Sequence, residues 1–215
     1  MWARWVMALG GLLALLLTPP FALSYFSAYR TPSESPPAWL AGLEQPLTDA
    51  GLVEPGSPAM YNGYGLLYLV AWLIGLAGLI GVLTGEWPRF TVRLRRVWAV
   101  AVVCLAVVAV GILGDYGLPG ELGGVGGFAL TVIGFLAAAV VFAFLGAALR
   151  RELRSTRRMA WCVGSLGIVS VVGGMALVGH IPSGPGWAFA LVALIAGLTR
   201  PWRPARENGK RPPGA

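Results

Sequence analysis

Charge is scarce in this chain: Asp, Glu, Lys and Arg make up 12% of 215 residues, with one histidine and two cysteines. An ordinary soluble domain carries about 25% charged residues, so water cannot solvate a surface as apolar as this one. Apart from Arg200 at the very end of the last, no Asp, Glu, Lys, Arg or His falls inside any of the long apolar runs, and such intramembrane groups are what proton relays, voltage sensors and most ion-coupled carriers require. Pumps and proton-coupled transporters are disfavoured. The chain also lacks a phosphate-cradling P-loop, an HExxH metal pair and a GxSxG elbow, which removes support for an ATPase, a zinc protease or a serine hydrolase. Cys104 and Cys162 fall at different expected depths, so a disulfide or metal pair is disfavoured and both read as small apolar fillers. No cofactor and no metal are expected.

What the sequence does have is hydrophobicity, 57% of its residues. Six runs are apolar enough to span a bilayer, at about residues 5–26, 64–84, 97–114, 124–149, 159–179 and 186–200. The expected fold is all-α, a polytopic transmembrane helix bundle forming one membrane domain over residues 1–215. The last run is the shortest and only just reaches across the hydrocarbon.

The net charge of +7 reads as the membrane's charge rule and not as a nucleic-acid footprint. All but Arg30 of the 16 basic residues fall on one side of the alternation set by the six runs. Arg89, Arg93, Arg95 and Arg96 follow the second run; Arg150, Arg151, Arg154, Arg157 and Arg158 follow the fourth; a basic tail occupies 201–215. The bias predicts six spans with both termini cytoplasmic, in a plasma membrane. It also supports the last run as a true span, because otherwise its basic tail would lie outside. These arginines can attract anionic headgroups, although topology alone explains them. Arginine outnumbering lysine, together with abundant Gly, Ala, Val and Pro, points to a GC-rich bacterial genome.

The first run is interrupted by Pro19 and Pro20 and has a rival reading as a secretory signal peptide with a small-residue site at Ala22-Leu23-Ser24. Its apolar stretch exceeds a usual signal core, so the mature protein is expected to retain it. The outer segment at 27–63 carries Trp39, Leu40, Leu43, Leu47, Leu52 and Val53 among acids. Pro46 is expected to prevent one continuous helix there, and the segment to lie on the interface or cap the bundle.

Within the spans, Tyr68, Thr131, Ser165 and Ser170 are expected to bond to their own or neighbouring helices. Small residues recur every four positions at Ala77, Gly81 and Gly85, at Gly123 and Gly127, and at Ser170 and Gly174. They read as bundle packing, with homo-oligomerisation as the alternative. Spans two and three form a hairpin around a basic loop and exit through Gly114-Asp115-Tyr116; spans four and five do likewise and exit through Gly179-His180-Ile181. A parallel repeat would gather Asp115, Tyr116, Glu121 and His180 at the outer rim, where Asp115, Glu121 and His180 are the candidate acid, base or divalent-cation residues. Solvated residues at helix ends are the plainer reading.

The Gly-Asp-Tyr exit and the Gly179-His180-Ile181-Pro182-Ser183-Gly184-Pro185 turn resemble those of small six-span integral membrane proteins of actinobacterial type. The resemblance covers roughly residues 64–199, rests on turn-like motifs, and implies the six-span fold without an activity. Three functions stay open. The first is a non-enzymatic membrane protein acting through helix packing with membrane-protein partners, its own copies or lipids. The second is a facilitator for an uncharged or lipid-like solute. The third is a membrane enzyme using Asp115, Glu121 and His180.

Overall fold

A computed structural model describes residues 2–29, 35–86, 91–118 and 121–152, with 172, 176–179, 190, 193–195 and 198. Five helices account for nearly all of it: α1 (Trp2–Tyr29), α2 (Ala38–Asp49), α3 (Pro58–Glu86), α4 (Val92–Gly117) and α5 (Glu121–Glu152). No strand occurs among the described residues. All but α2 contain stretches long and apolar enough to cross a membrane: Trp2–Tyr29, Pro58–Gly81, Val92–Gly117 and Gly124–Ala148. Most of the runs expected at 159–179 and 186–200, with Cys162, Ser165, Ser170 and Gly174, lies outside the described residues.

The helices outrun the apolar stretches that announced them because capping, not hydropathy, sets their ends. Pro58 sits at the first helical position of α3, where a missing N–H costs nothing. Thr91 caps α4, its side chain accepting from Leu94 N at 3.3 Å, so Arg93, Arg95 and Arg96 belong to the helix.

Two expectations about proline are corrected. α1 runs unbroken through Pro19 and Pro20. The two rings remove the N–H groups that would ordinarily bond the Leu15 and Leu16 carbonyls, but such helices persist where neighbouring structure compensates. Thr18 Oγ1 donates to Ala14 O at 2.8 Å and Ser24 Oγ to Pro20 O at 2.7 Å, so both buried hydroxyls beside the prolines are satisfied within the helix. α2 likewise continues through Pro46 to Asp49. There the proline stands in the last turn, and its carbonyl accepts from the N–H of the C-cap residue Ala50.

The closest helix pairs are α1 with α3 and α4 with α5; α3 and α4 touch less extensively. Both close pairs are built on glycine. A methyl group on Gly10 would overlap the backbone of Gly75, one on Gly78 would overlap Met7, and one on Gly81 would press on Ala3. Methyls on Gly111, Gly127 and Gly134 would meet Thr131, the Gly114–Asp115 backbone and Val108 respectively. Close backbone approach through small residues is the way helices associate in an apolar solvent that supplies no hydrophobic drive. Gly81 and Gly127 therefore serve packing within the bundle, but Ala77 is exposed and not part of that face.

The two pairs meet through large side chains instead. Phe21 of α1 packs on Tyr116 of α4, and Trp72 of α3 meets Phe135 of α5 edge-on at 5.6 Å. The described part of the last apolar run also joins the core: Ala190 is buried, and a methyl on Gly11 would strike its carbonyl and the Leu194 backbone.

Candidate functional site

The C-terminal ends of α1 and α4, the start of α3 and residues 177–179 converge at one end of the bundle. α2 closes it. Leu40 of α2 and Val53 beyond it are buried with Ala22, Leu23, Phe26 and Val178, and Trp39 Nε1 donates to Leu177 O at 2.6 Å. Ser27 Oγ accepts from Gly56 N at 2.8 Å, and the Tyr64 hydroxyl donates to Leu52 O at 2.5 Å. The acidic segment between α1 and α3 thus caps this end of the bundle, while Trp39, Leu43 and Leu52 remain exposed on it.

All six tyrosines of the chain are at this end. Phe21, Tyr25 and Tyr29 follow one another at intervals of four on α1, and Tyr61, Tyr64 and Tyr68 stand at three and four on α3, so each set shares a helix face. Tyr61 is the hub. Its ring centroid lies 5.4 Å from Phe21, 5.7 Å from Tyr25, 5.4 Å from Tyr29 and 5.3 Å from Tyr116. Its hydroxyl shares a hydrogen bond of 2.8 Å with that of Tyr116. Gly65 makes room for this arrangement, since a methyl there would overlap the Tyr116 ring.

Asp115 stands beside the cluster in the last turn of α4, half-buried, with its carboxyl interacting with the Tyr116 hydroxyl. No described basic side chain pairs with it. Of the other two candidates, Glu121 opens α5 at the same end, its side chain not described, and His180 lies outside the described residues. The structure joins Asp115 to tyrosines and leaves its relation to Glu121 and His180 open. Among the described residues no three His, Cys, Asp or Glu side chains group closely enough to hold a metal.

Of the hydroxyls singled out in the sequence, Thr131 Oγ1 donates to Gly127 O at 2.9 Å, one turn back on its own helix. Tyr68 is 1% exposed, and its hydroxyl lies beside Thr18 in hydrogen-bonding geometry with no described residue. Cys104 is a half-buried free thiol packed against the core.

On the outer flank of the α1–α3 pair lies a second feature, a half-open groove of about 340 Å³. Leu13, Leu16, Leu17 and Pro20 form one wall, Leu67, Val70 and Ala71 the other, and Leu52 with Tyr64 closes the end nearest α2. Nothing in its apolar lining hinted at it in the sequence, because a groove depends on how two helices diverge. The aromatic cluster did leave a signal, the spacing of the tyrosines and their common depth. Compared with known proteins, the chain matches no family model, no curated protein and no solved structure.

Proposed function

We propose that this chain is a six-span plasma-membrane protein of bacterial type, with both termini cytoplasmic, that acts without catalysis by engaging membrane lipids along its flank. The observation that carries the reading is the groove between α1 and α3. It is half open, and its walls are almost wholly apolar, the chemistry that suits an acyl chain. Leu16, Leu67 and Val70 at its edges are all exposed, a placement that favours hydrocarbon over water as the surrounding medium. Charge supports the orientation. Arg4, Arg93, Arg95 and Arg96 stand at the end opposite Glu44, Asp49, Glu54 and Asp115, the asymmetry expected if the basic end faces the cytoplasm.

Lipid extraction and mass spectrometry of the protein purified in a mild detergent test the reading. The wild type should retain lipid in a fixed proportion. Val70→Trp, which places a bulky ring in the groove, should lower that proportion without loss of folded protein; unchanged retention would refute the assignment to this groove.

A further inference from the structure

We propose that the aromatic cluster beside Asp115 binds a monovalent organic ammonium cation. The inference does not rest on the lateral groove, whose lining includes none of Tyr25, Tyr29, Tyr61, Asp115 and Tyr116.

A half-buried carboxylate is costly unless something offsets its charge, and no described basic side chain does so for Asp115. One carboxylate among neutral hydroxyls balances one positive charge. A divalent metal ordinarily gathers more anionic oxygens than this. The groups beside it are instead the Tyr116 and Tyr61 hydroxyls, and around Tyr61 stand the rings of Tyr25, Tyr29 and Tyr116; ring faces attract cations held within about 6 Å of the ring centre, most strongly when the cation is weakly hydrated. Alkylated ammonium groups have that property. Tyr61 and Tyr116, each 9% exposed, form the floor, while Tyr29, 46% exposed, and half-buried Tyr25 leave the cluster open on one side. The approach is favourable as well: Glu44, Asp49 and Glu54 share this end, with no described basic side chain among them. A field of one sign over a recess concentrates the opposite ion.

An ammonium of this kind could be a lipid headgroup or a soluble amine. The test uses the full-length protein in nanodiscs of phosphatidylglycerol, with tetramethylammonium chloride as probe and saturation-transfer NMR as readout. Saturable binding is expected, weakened about tenfold in Asp115→Asn, where the charge is lost but the shape kept. Tyr29→Leu should weaken binding several-fold and Tyr29→Phe should restore it, because the ring face and not the hydroxyl makes the contact. The inference is overturned if the wild type shows no saturable binding or Asp115→Asn binds equally well. It is also overturned if Tyr29→Phe loses as much as Tyr29→Leu, or if potassium displaces the probe at equal concentration. Repeating the titration in phosphatidylcholine nanodiscs separates the sources: a lower apparent affinity there identifies the headgroup as the competitor, and an equal one the soluble amine.

Discussion

Gly65 and Gly63 sit two residues apart on α3, and the difference between them shows how much the aromatic cluster demands of single positions. A methyl on Gly65 would run into the Tyr116 ring; one on Gly63 would meet nothing within 4 Å. Gly65→Ala must therefore push Tyr116 away from Tyr61 and Phe21, and overpacking of this kind costs about 1–3 kcal/mol. Gly63→Ala removes backbone freedom from the unfolded chain at an open helical site and should stabilise by up to about 1 kcal/mol. Thermal unfolding of the two variants in detergent, read by circular dichroism, should move in opposite directions. Of this cluster only Asp115 and Tyr116, at the exit of the third apolar run, were legible in the sequence as candidates. That Gly65 serves Tyr116 was not, because the two residues are 51 positions apart and only the fold brings them together.

At the scale of helices, hydropathy located each of the four described spans but misjudged what happens at their ends and inside them. Val97 begins the apolar run, yet α4 begins at Val92 because Thr91 caps it. Pro19 and Pro20 looked like an interruption, and α1 passes through both. A proline weakens a helix because it lacks an N–H and its ring crowds the carbonyl four residues back, and helices within a packed apolar bundle tolerate it where neighbouring groups compensate. The periodic small residues were legible as a class but not in register: Gly81 lies on the α1 contact and Ala77 does not, since the true stripe runs through Ala71, Gly75, Gly78 and Gly81. A paired substitution exposes the distinction. Gly78→Leu should separate α1 from α3 and cost about 1–3 kcal/mol or more, while Ala77→Leu, pointing outward, should leave the unfolding midpoint almost unchanged.

For the whole molecule, the separation of charge between its two ends predicts its placement. Reporter fusions after Arg96, after Arg158 and at the C-terminus should read cytoplasmic, and fusions near Glu44 and Glu121 should read external. An external C-terminus would remove the final span from the arrangement. The packing of α1 adds a related expectation. Met7, Ala14 and Phe21 belong to the main core, so signal-like cleavage after Ser24 would strip α3 of its closest partner. N-terminal sequencing of the purified protein should accordingly find α1 intact.

The unequal seams between helices bear on how the chain is made. As synthesis proceeds, α3 emerges to find α1 already available, and the glycine contacts between them can close before any residue of α4 exists. α4 and α5 can then zip together as a second hairpin, leaving the aromatic meeting of Phe21, Tyr61 and Tyr116 for last. Among α1 to α5 each half holds its own tightest glycine contacts, while Gly11 against Ala190 and Leu194, and Trp39 against Leu177, add close contacts between the halves. Two separately translated fragments, 1–88 and 89–215, should find one another in the membrane and co-purify. Weakening the aromatic meeting with Tyr116→Ala should lower the share of one fragment recovered with the other, the contacts of Trp72 with Phe135 and of Gly11 with Ala190 holding the remainder, while leaving the helix content of each as it was.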